Sequence, residues 1–320
     1  MDGSHESQKQ FHRPVLCEQV LNYLLTKNSS IVVDGTMGGG GHSEAILKKL
    51  NKDARLIGID QDSEAVSLCR RRFKNDKRVQ IIQGNFGEVE QILKKIGIAS
   101  IDGYLLDLGV SGHQIETAGR GFSYLSDGPL DMRMDANSSL TARDVIADYS
   151  EKKLADIFYQ YGEERHARQI ARHIVRAREK SSIDTTGRLT EIIKGCVPER
   201  WQIKTLARIF QSLRIEINQE LEKLKKGLMC VYPFLKIGAR ICVISYHSLE
   251  DRIVKRYIRG RSLSFLKYED DLPHSGFYFR DLTRHVVRPE DDEIRRLSTS
   301  RSARLRAAEK VLPEAVQGDF

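Results

Sequence analysis

The five cysteines of this 320-residue chain, Cys17, Cys69, Cys196, Cys230 and Cys242, fall singly and never as a C-x-x-C pair. Neither a disulfide framework nor a zinc site is therefore indicated, and no metal is expected. The chain also lacks any apolar run near the length needed to span a bilayer, and residues 1–10 are polar, with no hydrophobic stretch of the kind an export signal carries. A reducing cytoplasm is the expected compartment, with no membrane partner. Missing too is the dinucleotide fingerprint. Glycines cluster at 35, 38, 39, 40 and 41, but the third glycine of that spacing falls on Ser43 counted from Gly38 and on Glu44 counted from Gly39. That counts against a nucleotide-dependent oxidoreductase.

What is present is a soluble composition, 40% hydrophobic and 30% charged, in a chain long enough for one large domain or two unequal ones. The net charge of +8 favours a polyanionic partner, although a basic solvated surface accounts for that number almost as well.

The organising stretch is Ile31–His42. A β-branched run, Ile31 to Val33, closes on Asp34; the glycines follow, and a helical pattern resumes at Ser43–Leu50. This reads as strand, tight turn and helix start, the arrangement that holds a nucleotide-like ligand. A carboxylate at the strand end would repel a pyrophosphate. It suits a ligand bearing an ammonium or sulfonium group, and S-adenosylmethionine carries both. Residues 11–25 ahead of it read as an amphipathic helix, with Val15, Leu16, Val20, Leu21, Leu24 and Leu25 on one face.

Strands alternate with helices onward: Arg55–Asp60 before a helix over Ser63–Phe73, Val79–Gln83 before Gly84-Asn85-Phe86 and a helix over Glu88–Ile96, and Ile101–Leu108 before Gly109-Val110-Ser111. Such βαβ units make a parallel sheet whose ligand lies outside the carboxyl ends of its strands. Asp34, Asp60, Phe86 and Asp107 all fall at such ends, and Asp60 occupies the position that accepts ribose hydroxyls in doubly wound folds. From about residue 112 the pattern becomes an ordered glycine-punctuated loop and then helices over 141–149, 151–161, 163–179 and 190–196, with Thr141 and Ser150 as caps. This is a helical module inserted in an α/β domain. Arg165, Arg168, Arg172 and Arg176, spaced 3, 4 and 4, form a basic stripe that can track phosphates or can simply be solvated.

A long helix over Leu206–Leu228 returns the chain to the first domain, and Arg240–Ser245 is a buried strand. At its end stand Tyr246 and His247, suited to gripping a base, before a basic helix with Arg252, Lys255, Arg256 and Arg259. The alternative at that end is a helix capped by Ser248, with His247 only orienting the turn. Asp270–Phe279 reads as a loop, Phe277–Phe279 and Leu282–Val287 as a late antiparallel pair, and Ser300–Lys310 as an Arg-rich helix.

Seven segments together, Asp34-Gly-Thr-Met-Gly-Gly-Gly-Gly-His42-Ser, Asp107-Leu-Gly-Val-Ser111, Arg120-Gly-Phe-Ser, Asp127-Gly-Pro-Leu-Asp-Met-Arg-Met-Asp135, Gly162-Glu-Glu-Arg165, Phe210-Gln-Ser-Leu-Arg-Ile215 and Ser245-Tyr-His-Ser-Leu-Glu-Asp-Arg252, closely resemble the bacterial RsmH (MraW) family. The likeness runs from about His12 to Lys310. It implies an S-adenosylmethionine-dependent methyltransferase of the class I, Rossmann-like type, acting on N4 of a cytosine in 16S ribosomal RNA at the decoding region of the small ribosomal subunit. It further implies cofactor contacts at Gly40, Gly41, His42, Asp60, Phe86, Asp107 and Gln114, joined by Asp34 from the residue reading, and a helical substrate domain. The expected division is a disordered tail over 1–10, a methyltransferase domain over 11–112 and 217–320, and an inserted recognition domain over 113–216. Three places depart from the family pattern: Gly112-His113 where Ser-Pro is commoner, Tyr246 where Phe is commoner, and Leu297-Ser298-Thr299 in place of an Asn-Pro turn.

For the chemistry, Asp107 with Ser111 is the expected hydrogen-bond acceptor toward the amine, Tyr246 and His247 grip the base, and Arg165, Arg168, Arg172, Arg176 and Arg252 face the RNA. A homodimer stays open. So do a non-catalytic RNA-binding protein, which would keep the basic stripes without needing acids at the strand ends, and a methyltransferase of DNA amino groups.

Overall fold

The computed structural model describes residues 14–261, 263, 265 and 276–316. After α1 (Cys17–Leu24), strands β1 (Ile31–Asp34), β2 (Arg55–Asp60), β3 (Val79–Gln83) and β4 (Ile101–Asp107) run parallel, joined by α2 (Gly41–Leu47), α3 (Ser63–Arg72) and α4 (Val89–Lys95). β5 (Leu235–Ser245) lies parallel to β4; β6 (Phe279–Asp281) and β7 (Arg304–Lys310) complete a seven-stranded sheet in the order β3-β2-β1-β4-β5-β7-β6, with β7 antiparallel to both its neighbours. The order reverses between β1 and β4, which is where an open α/β sheet leaves a crevice.

Register shapes that crevice. Asp34 pairs across to Gly58 and Leu105, so Asp60 and Asp107 each reach two residues beyond it. The end of β1 is thus the floor of a notch walled by the ends of β2 and β4.

Alternation along the strands divides the core between the two faces of the sheet. Val33, Ile57, Leu106 and Val243 pack with α4, with α11 (Glu220–Val231) and with α12 (Ser248–Ile258) on one face. Val32, Leu56, Leu105 and Ile244 meet α1 and α2 on the other. A further core belongs to the segment between β4 and β5, formed by α6 (Ala142–Asp148), α7 (Glu151–Gln160), α8 (Ala167–Arg178), α9 (Thr186–Lys194) and α10 (Glu199–Asn218) around Phe158, Ile170, Leu189 and Leu213. A short α5 (Gly112–Glu116) leads into it, and α13 (Asp291–Arg296) precedes β7. Local caps fix the helix starts: Asp62 accepts the Glu64 N–H ahead of α3, Ser150 accepts from Lys153, and Thr141 with Asp144 forms a reciprocal capping box.

Several expected boundaries move. α1 begins only at Cys17, because Leu16 takes a left-handed φ of 53° with its N–H held 2.6 Å from Glu293 Oε1; residues 11–13 lie outside the described residues, as do 270–275 of the expected loop. The helix expected over 163–179 starts at Ala167, since Glu163 is left-handed (φ 49°). That expected over 190–196 starts at Thr186, capped by Thr185. The single helix expected over 206–228 is two, broken at Gln219 with φ 51°. Leu282–Val287 is no strand beyond one bridge from Val287 to Leu305. The expected helix over 300–310 is a 3₁₀ turn (Ser298–Ser302) followed by β7.

Candidate active site

Asp34 is 1% exposed. Its Oδ2 accepts from Ser43 Oγ at 2.7 Å and its Oδ1 from the Thr36 N–H at 3.2 Å. Burial pushes its carboxyl above the ordinary range, against the pull of the Ser43 bond. Asp34 therefore braces the glycine turn from below.

Within that turn Gly40 carries φ 79°, and a Cβ there would sit 2.7 Å from the Phe73 ring, whereas Gly39 faces open space and Gly41 has only ordinary contacts with Pro14. Gly40→Ala should therefore cost about 3 kcal/mol, the left-handed backbone and the overpacking together. Urea unfolding reads this directly. An unchanged midpoint would show that the turn is not held in this conformation.

Asp60, on the β2 wall, accepts from the Gly38 N–H at 2.7 Å through Oδ2 and from the Asp62 N–H at 2.8 Å through Oδ1. Burial, with Asp62 and Asp34 nearby, raises its pKa to about 6 in spite of those bonds. On the β4 wall, Asp107 Oδ1 accepts from the Tyr246 hydroxyl at 2.9 Å. Its Oδ2 lies 3.4 Å from His42 Nε2, a buried nitrogen with no hydrogen-bond partner among the described residues. The Asp107 N–H donates to Thr36 Oγ1 at 2.6 Å. Tyr246 is held neutral: burial, then the Asp107 charge, drives its hydroxyl pKa well up. Gly109, with φ 95° and an absent Cβ that would lie 3.2 Å from the Tyr246 ring, lets the chain pass beneath that ring.

Three acids thus share one notch with a buried imidazole and an aromatic hydroxyl, a setting that attracts a cationic ligand group. A family model described as the MraW methylase family matches residues 9–311. The chain belongs to the MraW methylase family. It is 46% identical over 305 residues to the ribosomal RNA small subunit methyltransferase H of Caldicellulosiruptor saccharolyticus, covering 94% of this chain and 99% of that one. It is 44% identical over 308 residues to the protein of the same description from Geotalea uraniireducens, covering 94% and 98%. Among solved structures, an rRNA methylase from Streptococcus thermophilus aligns with a TM-score of 0.40 and 11% identity over 92% of this chain and 94% of that one.

The remaining sequence-expected residues of this methylase sit as follows. Phe86, half-buried, packs against Gly227 of α11, where a Cβ would come within 2.9 Å of its ring. Gln114 is buried, with its Nε2 donating to Asp62 Oδ2 at 2.8 Å and its Oε1 accepting from the Ser111 N–H at 3.0 Å. It latches the loop after β4 to the start of α3, and Ser111 Oγ accepts the Gln114 N–H in return at 3.2 Å. Arg165, Arg168, Arg172 and Arg176 are all exposed, opposite the buried Ala167, Ile170, Ala171 and Ile174; Arg165 precedes α8, and Arg172 lies 3.5 Å from Glu151. Arg252 is engaged within the protein, by Phe265 O and by Glu163 at 3.6 Å.

The support beneath Tyr246 and His247 was not evident from the sequence. His247, and not Ser248, is the cap of α12, its Nδ1 accepting the Glu250 N–H at 3.4 Å. Glu250, 2% exposed, accepts the backbone N–H groups of Tyr246 (2.9 Å) and His247 (3.3 Å). Burial works to raise the Glu250 pKa, but His247 and Arg214 more than offset it. Glu220, His247 and Glu250 converge with ligand atoms within 4.8 Å of one another, and Arg214 grips Glu220 with bonds of 2.8 and 3.0 Å. The capping-box spacing from His247 to Glu250 was readable; the clasp from α10 to α11 had no local signature.

Proposed function

We propose that this chain transfers a methyl group from S-adenosylmethionine to the N4 amine of a cytidine in small-subunit ribosomal RNA, at the decoding region. The observation that carries the reading is the Asp107 carboxylate, held by the Tyr246 hydroxyl and 3.4 Å from the buried His42 Nε2, at the rim of an acid-walled notch. The descriptions of the relatives support the substrate, and the motif resemblance supports the atom modified.

The donor fits the residues present. Its positive charge complements Asp107, and its ribose hydroxyls suit Asp60, while Asp34 shapes the turn from beneath. Gly39 leaves open space beside the turn, and His42 Nε2 offers an unused polar atom. When bound, the donor supplies an electrophilic methyl on a positively charged sulfur. The cytosine amine is a weak nucleophile because its lone pair is delocalised into the ring. Asp107 accepts a hydrogen bond from N4–H, which favours a pyramidal nitrogen with its lone pair directed at the methyl carbon. Asp107 would then accept the surplus N4 proton that methyl transfer leaves on the amine and pass it to water. Tyr246 grips a base that is single-stranded or flipped from its stack, and His247, buried as the cap of α12, positions Tyr246.

Incubation with small ribosomal subunits and a methyl-labelled donor, followed by nucleotide mapping, should place one methyl on N4 of one cytidine. Label on another atom, or none, refutes the reading.

A pH dependence follows from Asp60. Only the ionised carboxylate accepts both ribose hydroxyls, and in the free protein it holds its proton below a pKa of about 6. Donor affinity should be flat above that pH and fall by about tenfold per unit below it, because binding must expel the proton. Isothermal titration from pH 5 to 8 measures it. An affinity unchanged over that range would remove Asp60 from the contact.

A further inference from the structure

Away from the notch, a cleft of about 340 Å³ opens between the 163–166 loop and α10, lined by Arg165, His166, Trp201, Lys204, Thr205 and Arg208, with Glu164 at its base. That volume lies within the range of small-ligand pockets. Trp201 is the single tryptophan of the chain, and it is 45% exposed. It is followed on α10 by Lys204 and Arg208 at helical spacing, so ring and cations share one side. Glu164, 1% exposed, is spent internally: its Oε1 accepts the His166 N–H at 2.9 Å and its Oε2 lies 3.4 Å from Arg208 Nη1. Arg165 and Lys204 have no ion-pair partner among the described residues, which leaves the rim positive.

The cleft is also mechanically joined to the notch. Glu163, one residue before its lining, accepts from Ser248 Oγ at 2.9 Å at the first residue of α12, directly after Tyr246 and His247. Gly162 fixes the loop against α10, since a Cβ there would lie 2.7 Å from Phe158 O and 2.8 Å from Arg208 O.

We propose that this cleft is a second RNA site, in which one unpaired base stacks on Trp201 while Arg165 and Lys204 hold its flanking phosphates. An exposed indole, with Arg200 5.7 Å from its ring centroid and with Arg165 and Lys204 beside it, matches the stacking platform and electrostatic groove that bind single-stranded nucleic acid. The proposal rests on the reading that the substrate is RNA, and assigns this strand segment an anchor outside the methyl-transfer notch.

Because Trp201 is the only tryptophan, its fluorescence reports on the cleft alone. Titrating the full chain with a single-stranded oligoribonucleotide should quench that fluorescence, and an abasic strand of equal charge should not. Trp201→Ala should weaken oligonucleotide binding about tenfold and raise KM for small subunits with kcat kept, and Trp201→Phe should restore most of both. Arg165→Ala with Lys204→Ala should lower the salt slope of binding by roughly 1.4, two single-strand phosphates' worth. Absence of quenching, equal quenching by the abasic strand, quenching by an acidic peptide but not by RNA, or a Trp201→Ala variant with unchanged KM would each overturn the proposal. The outcomes also separate the two readings. Quenching without methylation keeps the cleft and refutes the function, whereas methylation without quenching does the reverse.

Discussion

Asp107→Ala should lower the turnover of small-subunit methylation by on the order of 10²- to 10³-fold, the scale on which loss of one preorganised transition-state contact is felt. The carboxylate is 23% exposed, so its removal opens no deep cavity. It also relieves a like charge beside buried Asp34, whose proton affinity Asp107 helps to raise. The same change strips the Tyr246 hydroxyl of its acceptor, so urea unfolding is measured alongside, and Asp107→Asn, which keeps an acceptor for Tyr246 but no charge, separates a loss of turnover from a loss of stability. Single-turnover kinetics with saturating donor and subunits make the measurement. Near-normal turnover would sink the assigned role.

The second large effect is on stability. Arg214→Ala should cost about 3 kcal/mol, because it leaves Glu220 half of a broken, mostly buried pair, within 4.8 Å of Glu250 and His247. Burial works to lower the pKa of this guanidinium, and the field and hydrogen bonds of Glu220 more than offset it. Arg214→Lys should recover only part of the loss, since an ammonium cannot reproduce the two parallel bonds now made to Oε1 and Oε2. Urea denaturation separates the three proteins. Equal midpoints for Ala and Arg would mean that the clasp is dispensable.

These two residues also mark how far the sequence could be read. Asp34, Asp60 and Asp107 were legible because each ends a short apolar run, and parallel strands bring such ends to one edge by geometry alone. What Asp107 touches was not: the hydroxyl of Tyr246 and the imidazole of His42 stand 139 and 65 positions away in sequence. The break between α10 and α11 was hidden as well. Asn218 and Gln219 are neither glycine nor proline, and the left-handed turn at Gln219 is held by tertiary contacts: Asn218 Nδ2 donates to Met132 O at 2.9 Å and its Oδ1 accepts the Met134 N–H at 2.8 Å. β7 was misread for a compositional reason. Arg304-Leu-Arg-Ala-Ala-Glu-Lys310 is rich in good helix formers, yet Leu305, Ala307 and Ala308 are fully buried because strands flank β7 on both sides. Tertiary position overrode local propensity.

The place of β7 has a consequence for biosynthesis. Among the described strands it is made last, yet it lies inside the sheet, between β5 and β6. A nascent chain halted at residue 303 already carries Asp34, Asp60, Asp107, Tyr246 and His247, but the outer edge of β5 from Arg240 to Ser245 has nothing to pair with. Such a bare apolar edge is a template for self-association. Closure of the sheet therefore waits on residues 304–310, and a premature stop before them, far from the chemistry, leaves an aggregation-prone polypeptide instead of a weaker catalyst.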